Sequence, residues 1–171
     1  MVLRIRKYGD PVLEAKCDPV TGFNTAELDE LAANMFETMY AHKGVGLAAP
    51  QVGLSTRLTV IDVSAGVDES QKMVLVNPEI LHKEGIQIGE EGCLSVPGFR
   101  EDVKRAMKTT VRAQNTKGET FEVTGEELLA RALQHEIDHL NGILFLKHLS
   151  MLKRDLIRRK IRKLVKAGEW N

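Results

Sequence analysis

Apolar residues between positions 25 and 42 recur every three to four residues, with polar residues between them. This period predicts an amphipathic helix over about 25–42. Asn24 and Glu27 have the spacing of a capping box at its start, and Gly44 predicts its end. The residues of the apolar face are Leu28, Leu31, Ala32, Met35 and Met39.

A second helical pattern follows Thr124 and Glu127, which also have capping-box spacing, and ends at Gly142. Its apolar stripe is wide, which predicts a helix buried at the centre of the fold. The residues of that stripe are Leu128, Leu129, Ala132, Leu133, Ile137 and Leu140.

A third helix is predicted from Ser150, over about 150–167, with one apolar and one basic side. The basic side carries eight cations against the single acid Asp155. The apolar side consists of Met151, Leu152, Leu156, Ile161, Leu164 and Val165; the basic side consists of Lys153, Arg154, Arg158, Arg159, Lys160, Arg162, Lys163 and Lys166.

Alternating or β-branched stretches predict the strands. They fall at 2–7 (an edge strand), 57–63, 73–76, 80–88 (a strand pair broken near Gly85), 100–105, 108–114 and 119–123, with a turn at Asn77 and Pro78 and a hairpin at 115–118. The pattern predicts one α+β domain over 1–171, with mainly antiparallel β-sheets around a central helix. A helix in the N-terminal half and the basic C-terminal helix complete it.

Composition narrows the functional classes only slightly. The 171 residues include 24 Lys plus Arg and 24 Asp plus Glu, so net charge indicates no particular partner. Cys17 and Cys93 are the only cysteines, as expected for a reduced protein. The N-terminus lacks the apolar run of a signal peptide, and no segment has the length to span a bilayer. We therefore expect a cytoplasmic protein with no membrane partner.

His135, Glu136 and His139 form an H-E-x-x-H pattern within the central helix. Four residues turn roughly 400° on a helix, so both imidazoles leave the same face and can bind one divalent metal ion. Glu136 lies about 100° from His135, where a carboxylate can take a proton from a water molecule beside the metal. The alternative is a helix whose histidines fall at this spacing by chance, so further ligands are required.

A catalytic site of this type takes three protein ligands. The only glutamate after His139 is Glu169, close to the chain end, where a rigid ligand is not expected. Phe145 occupies the position of the last histidine of metzincin sites, which excludes that class. The remaining histidines are better explained as surface residues: His42, His82 and His148.

Cys93 is the better candidate for the third ligand. A thiolate binds zinc or iron strongly, and Gly92 allows the backbone to approach a metal closely. Alone, a single cysteine between glycine and apolar residues is more often a small buried hydrophobe. With His135 and His139, Cys93 would complete a Cys-His-His site.

Three segments together resemble the motifs of bacterial peptide deformylases. They are 44–51 (GVGLAAPQ), 91–95 (EGCLS) and 134–139 (QHEIDH), in the order and at about the spacing of that family, and the similarity includes the turn at 9–11. The resemblance implies hydrolysis of the N-terminal formyl group of formyl-methionyl nascent peptides, with release of formate. It also implies one divalent metal ion, ferrous iron (Fe2+) foremost, with zinc, nickel and cobalt as alternatives.

The resemblance assigns roles to individual residues. Glu136 would be the proton carrier, and the side-chain amide of Gln51 and the backbone N–H of Leu94 would stabilise the oxyanion. An extended peptide would lie beside 44–46. The substrate contacts implied are Gly44, Val45, Gly46 and Arg100, with a methionine pocket at Val45, Leu128 and Ala132.

Three charged residues near these motifs have two interpretations. Arg131 precedes His135 by one turn, so its stem would flank the methionine pocket. Glu91 and Asp138 would orient metal ligands, or would be ordinary solvated charges.

Two other functions share some of these features. A metallopeptidase would use the same H-E-x-x-H chemistry without needing Cys93 or the other two motifs. A non-catalytic, ribosome-associated protein would use only the basic C-terminal helix, since clustered cations suit RNA phosphates. That helix has two interpretations: a solvated amphipathic helix packed on the domain, or, as the family resemblance implies, a helix that docks on ribosomal RNA.

Overall fold

The computed structural model describes residues 1–171 and contains three α-helices and seven β-strands. In chain order, the elements are α1 (Ala26–Ala41), β1 (Gly46–Ala48), β2 (Leu58–Ile61), β3 (Met73–Glu84), β4 (Gln87–Gly92), β5 (Arg100–Arg105), β6 (Lys108–Gln114), β7 (Thr120–Glu126), α2 (Glu127–Leu140) and α3 (Met151–Lys166). Short 3-10 turns occupy Pro11–Glu14, Ala49–Val52, Glu69–Gln71 and Phe145–His148.

The strands form two antiparallel sheets. Five of them pair in the order β1-β2-β3-β6-β7, and β4 pairs only with β5. Strand β1 therefore lies at the edge of the larger sheet. The α+β class and the antiparallel sheets predicted from the sequence are confirmed.

Helix α2 lies at the centre of the fold. Ten of its 14 residues are buried, including polar ones. It contacts β1, β2, β6 and β7 of the larger sheet and β5 of the smaller one. The wide apolar stripe therefore predicted its position correctly, and the buried polar residues of α2 must find partners within the protein.

Two further apolar clusters hold the outer helices. Met35 and Met39 of α1 pack on Leu58 and Val60 of the larger sheet. Under α3, Ile157 and Ile161 pack with other buried residues behind the loop that carries Cys93; these are Val96, Val103, Phe145, Leu146, Leu149 and Trp170.

Trp170 closes the second of these clusters. Its Nε1 donates to the carbonyl of Tyr8 at 2.9 Å, and its ring meets that of Phe99 edge-on, with 6.2 Å between ring centroids. The side chain is 9% exposed. The end of the chain is thereby joined to both the N-terminal segment and the loop after Cys93.

The predicted helix bounds are nearly correct, but two predicted caps are wrong. Thr25, not Asn24, caps α1, since its Oγ1 accepts from the N–H of Leu28 at 3.2 Å. Thr124 remains in β7, where its hydroxyl lies 2.9 Å from that of Thr110. Helix α2 starts at Glu127 without a side-chain cap because the chain enters it directly from the strand.

Three strand predictions are also wrong in part. Residues 2–7 form no strand, because their backbone does not pair with a neighbouring strand. It makes isolated hydrogen bonds instead, such as that from the Leu3 N–H to Thr38 Oγ1 at 2.8 Å. Asn77 and Pro78 form an irregularity inside β3, not a turn between strands. The chain does break at Gly85, but β3 and β4 belong to different sheets and do not pair.

The predicted apolar side of α3 is corrected as well. Its buried residues are Ile157 and Ile161, whereas four of the predicted core residues face solvent: Met151, Leu152, Leu156 and Val165. The helix therefore presents apolar as well as basic side chains at its surface. No helix of the protein combines the length and apolar composition needed to cross a bilayer.

A buried carboxylate organises the loop after β2. Asp62 is fully buried and accepts hydrogen bonds from the N–H of Ser64 at 2.9 Å, the N–H of Gly66 at 3.1 Å and the hydroxyl of Tyr40. Burial opposes its ionisation, but these hydrogen bonds outweigh that effect and hold the pKa of Asp62 below its ordinary value. Its own N–H donates to the carbonyl of Val45, which fixes the start of β1.

Candidate metal centre and active site

Three potential metal ligands converge at the base of a cleft. The Cys93 Sγ lies 3.4 Å from His139 Nε2, which lies 3.1 Å from His135 Nε2, and all three atoms are within 4.8 Å of one another. A tetrahedral ion with bonds of about 2.0–2.1 Å to nitrogen and 2.3 Å to sulfur would space such atoms by roughly 3.3–3.6 Å. The donor set and its spacing therefore fit one divalent metal ion.

The hydrogen bonds of the two histidines define their protonation. His135 Nδ1 lies 2.8 Å from Glu91 Oε1, and since a carboxylate accepts, Nδ1 carries a proton. Burial opposes a positive charge on His135, but hydrogen bonds to Cys93 and Glu91 outweigh it and hold the pKa of His135 well above its ordinary value, so a metal ion would bind Nε2 by displacing the second proton of the ring. Burial, with the neighbouring His135 as a second cause, holds the pKa of His139 well below its ordinary value. His139 is therefore neutral, as a metal ligand must be.

Glu91 is the centre of a buried charge network. It lies on β4, and Arg105 on the paired strand β5 binds it through two hydrogen bonds of 2.8 and 2.9 Å. Arg131 of α2 adds a third at 2.6 Å. Burial alone would raise the pKa of Glu91, but hydrogen bonds from Arg105 and His135 outweigh it and hold the pKa far below its ordinary value. Glu91 is thus a fixed anion that orients His135.

Asp138 makes no hydrogen bond to either predicted histidine ligand. Its Oδ2 accepts from Arg105 Nη1 at 2.6 Å and lies 2.8 Å from His148 Nε2. The sequence placed His148 at the surface and gave it no function, but it extends the network from Glu91 through Arg105 to the protein surface. Arg105 itself was missed, although a basic residue at an inward position of an alternating strand, two residues after buried Val103, could have indicated it.

Glu136 is buried beside the edge strand β1. Its Oε2 has no hydrogen-bond partner in the protein. Burial raises the pKa of Glu136 to about 7, although the charge of His135 opposes the rise. A Cβ at Gly46 would lie 2.6 Å from Glu136 Oε1, so only glycine lets the carboxylate approach this strand. The carboxyl is therefore held where it can exchange a proton near neutral pH.

The backbone of β1 has one unpaired edge. The carbonyls of Val45 and Leu47 accept from the N–H of Asp62 and from Thr59 Oγ1, at 2.9 and 2.8 Å, so both point toward β2. Because backbone groups alternate along a strand, the N–H and carbonyl of Gly46 point away from the sheet. This edge is free to pair with another extended chain.

Two hydrogen-bond donors lie near the cysteine. Gln51 Oε1 accepts from the N–H of Ala48 at 2.9 Å, which directs its Nε2 toward Cys93 Sγ at 3.4 Å and Ser95 Oγ at 3.2 Å. Leu94 follows Cys93, and its Cδ1 would lie 3.1 Å from a Cβ at Gly44. Gln51 and Leu94 thus both line the cleft beside Cys93.

These groups line one cleft of about 830 Å³. Every site residue predicted from the sequence faces it except His139, which is 1% exposed and lies behind the others. Residues that the sequence did not indicate also line it, namely Ile5, Lys7, His42, Lys43, Glu90, Pro97 and Phe99. They come from the N-terminal segment, the turn after α1, strand β4 and the loop after Cys93, so only tertiary structure brings them together around the cleft.

Comparison with known proteins identifies the family of this chain. The family model described as polypeptide deformylase matches residues 2–155. The chain belongs to the polypeptide deformylase family. A peptide deformylase of Acidobacterium capsulatum is 61% identical over 170 residues, which is 99% of both chains.

Solved structures agree. A peptide deformylase crystal structure from Legionella pneumophila has a TM-score of 0.91 and 47% identity, covering 100% of this chain and 99% of the other. The peptide deformylase of Thermus thermophilus has a TM-score of 0.88 and 45% identity, covering 97% of each chain. This deformylase is therefore a metal-dependent hydrolase that removes the N-terminal formyl group of nascent polypeptides. The resemblance stated from the three motifs is confirmed, and the metallopeptidase alternative is not supported.

Proposed function

We propose that Cys93, His135 and His139 hold one divalent ion, and that this ion is ferrous iron in the cell. The donor spacing, the Glu91 contact to His135 and the neutral state of His139 support the ligand set. Thiolate and imidazole also suit zinc, nickel and cobalt, so the choice of iron rests on family resemblance. A bound ion would supply Lewis-acid polarisation of the formyl oxygen and acidify water.

The residues around the metal ion carry out the proton transfer and stabilise the developing negative charge. Glu136 takes a proton from the attacking water and gives it to the departing amine, for which a pKa of about 7 is well matched. The Gln51 Nε2–H and the Leu94 N–H donate to the oxygen on which negative charge develops. The Ala48 N–H fixes the Gln51 amide in advance, so little reorientation is needed.

The peptide would bind as an added strand beside β1, using the free N–H and carbonyl of Gly46. Gly44 leaves room for Leu94, and Val45 begins the side-chain pocket that Leu128 and Ala132 continue. Arg100 lies on the rim, paired with Glu90, within reach of the peptide backbone. Main-chain bonding provides affinity for many sequences, while the pocket selects the first residue.

The observation that carries these roles is Glu136, a buried carboxyl with an unpartnered oxygen beside three convergent donor atoms. The Glu136→Gln variant should retain metal and lose at least about 100-fold in kcat/KM for a formyl-Met peptide, because the proton carrier is gone. Elemental analysis and steady-state kinetics measure the two quantities. The exposed glutamate variant Glu122→Gln is the matched control, and near-normal activity of Glu136→Gln would disprove the assignment.

The ligand set has a separate test. Cys93→Ser should lower the metal content after dialysis, since a hydroxyl is a far weaker ligand for these ions than a thiolate. Full metal occupancy in this variant would remove Cys93 from the ligands. Elemental analysis of wild-type protein prepared without oxygen would decide between iron and the other metals.

We also propose that α3 docks on the ribosome and that the protein acts in the cytoplasm on formyl-methionyl chains. Support comes from the basic side of α3, which carries eight cations and the single acid Asp155, and from apolar residues exposed on the same helix. Such a surface suits RNA phosphates with adjoining apolar contacts.

A further inference from the structure

Arg131 occupies an unusual position in the cleft. It lies on α2 between Leu128 and His135, and its spacing places it on the same helix face as Leu128, Ala132 and His135. It lines the cleft, although its side chain is only 9% exposed. An arginine thus stands among the residues proposed to receive the substrate side chain.

The hydrogen bonds of its guanidinium are incomplete. Nη1 donates to Glu91 Oε2 at 2.6 Å and to the carbonyl of Val103 at 3.0 Å, and Nη2 donates to Gln87 Oε1 at 3.3 Å. A guanidinium has five N–H groups. The Nε–H and one Nη2–H therefore have no acceptor within the protein.

Gly89 makes room for this arrangement. A Cβ at position 89 would lie 3.0 Å from Arg131 Nη2, so the guanidinium fills the space that a side chain on β4 would take. The wall of the pocket between β4 and α2 is accordingly cationic and rich in N–H groups instead of aliphatic. The contacts to Glu91, Val103 and Gln87 hold this wall in place.

We propose that Arg131 is a specificity-determining residue, which favours N-formyl peptides whose first side chain ends in a hydrogen-bond acceptor. The thioether of methionine is a weak acceptor, and the sulfoxide of oxidised methionine is a strong one. A substrate side chain that covers these N–H groups displaces their water, and the free energy lost is recovered by an acceptor on the substrate but not by a hydrocarbon of the same shape. This inference rests on the proposed side-chain pocket at Val45, Leu128 and Ala132.

Arg131 also contacts Glu91, so a general loss of activity on its removal would say nothing about specificity. The informative quantity is the ratio of kcat/KM between peptides that differ only in the first side chain. If Arg131 only holds Glu91 in place, its removal lowers kcat/KM for every substrate by the same factor. A contact with the side chain changes the ratio.

The experiment uses the metal-loaded full chain and three formyl peptides, X-Ala-Ser, with X as methionine, norleucine or methionine sulfoxide. Arg131→Met keeps an aliphatic stem but removes the N–H groups. We expect the sulfoxide-to-norleucine ratio to fall by at least about tenfold relative to wild type, as loss of a hydrogen bond to a charged donor implies. Arg105→Met is the matched control, because Arg105 binds Glu91 but does not line the cleft. This variant should lower kcat/KM for all three substrates by the same factor.

An unchanged ratio in Arg131→Met would overturn the proposal. Hydrolysis of the formyl-methionine peptide by wild type, measured in the same assay, separates this result from failure of the proposed function. If Arg131→Met does not fold, calorimetry of the unformylated peptides on wild-type protein decides. Binding of the sulfoxide peptide at least as tight as that of the norleucine peptide supports the proposal, and weaker binding refutes it.

Discussion

Two regions of this deformylase are rich in charge, but they use it in opposite ways. Around Glu91, each buried charge has partners within the protein, and the network reaches from His135 through Arg105 to Asp138 and His148. On α3, six of the eight cations face solvent, while Arg154 and Arg158 are half-buried. Lys153 alone among the eight forms an ion pair, with Glu101.

The difference follows from solvent. A buried ion loses its hydration and is tolerated only when well-aligned partners replace the water. An exposed ion keeps its hydration, contributes little to stability and remains available to a binding partner. The first region should therefore be sensitive to single substitutions and insensitive to salt, and the second should show the reverse.

The largest effect is expected for Glu91→Ala. It leaves Arg105, Arg131 and His135 without their shared anion, so the free energy of unfolding should fall by about 3–5 kcal/mol. Urea denaturation measures the change. Glu101→Ala, which removes the half-buried partner of the exposed Lys153, is the control and should cost less than about 1 kcal/mol. Equal losses in both variants would contradict the contrast between the regions.

A smaller effect is expected for Asp62→Asn, which tests a buried carboxylate with neutral partners. Weaker hydrogen bonds from Tyr40, Ser64 and Gly66 should lower stability by about 1–3 kcal/mol near neutral pH. Because the folded-state pKa of Asp62 is depressed, its contribution is present above the unfolded value of about 4 and is lost as pH falls through the folded value. Stability measured against pH should show the two proteins converging in acid; a constant gap would argue against this linkage.

The smallest effect on stability is expected on α3. Replacing Arg159, Lys163 and Lys166 by glutamine should change the free energy of unfolding by less than about 0.5 kcal/mol, since all three are exposed. Ribosome binding, followed by co-sedimentation at increasing salt, should weaken, and its logarithmic salt slope should fall by about 2–3. An unchanged slope would mean that these cations do not contact phosphate.

The sequence patterns predicted correctly those elements whose formation depends on residues close together in the chain. The periods of α1 and α2 and the hairpin between β6 and β7 were correct because apolar spacing and turn chemistry act over a few residues. The strand at 2–7 was not, because its backbone N–H groups bond to scattered partners, Thr38 and Gln51, instead of a neighbouring strand. Asn77 was mistaken for a turn because its side chain anchors Val20, which lies 57 positions away.

The candidate site shows the same division. Motif spacing and family resemblance predicted that the residues around Cys93 and His135 form one site. The structure places these residues in one cleft. The two arginines on Glu91 arise from pairing of β4 with β5 and from packing of α2, and no spacing along the chain encodes that convergence. The guanidinium beside Gly89 likewise depends on a missing side chain, which a sequence shows only as one glycine among 14.

Trp170, packed between Tyr8 and Phe99, is the only tryptophan of the chain. Its ultraviolet emission is therefore a built-in optical reporter of one place, the junction of α3, the N-terminal segment and the cleft wall at Phe99. Release of α3 from the domain would transfer the indole to water and shift the emission to longer wavelength. Arrival of a peptide against Phe99 would alter its intensity without any label. Rapid-mixing fluorescence could thus time substrate entry and helix movement separately in the unmodified enzyme.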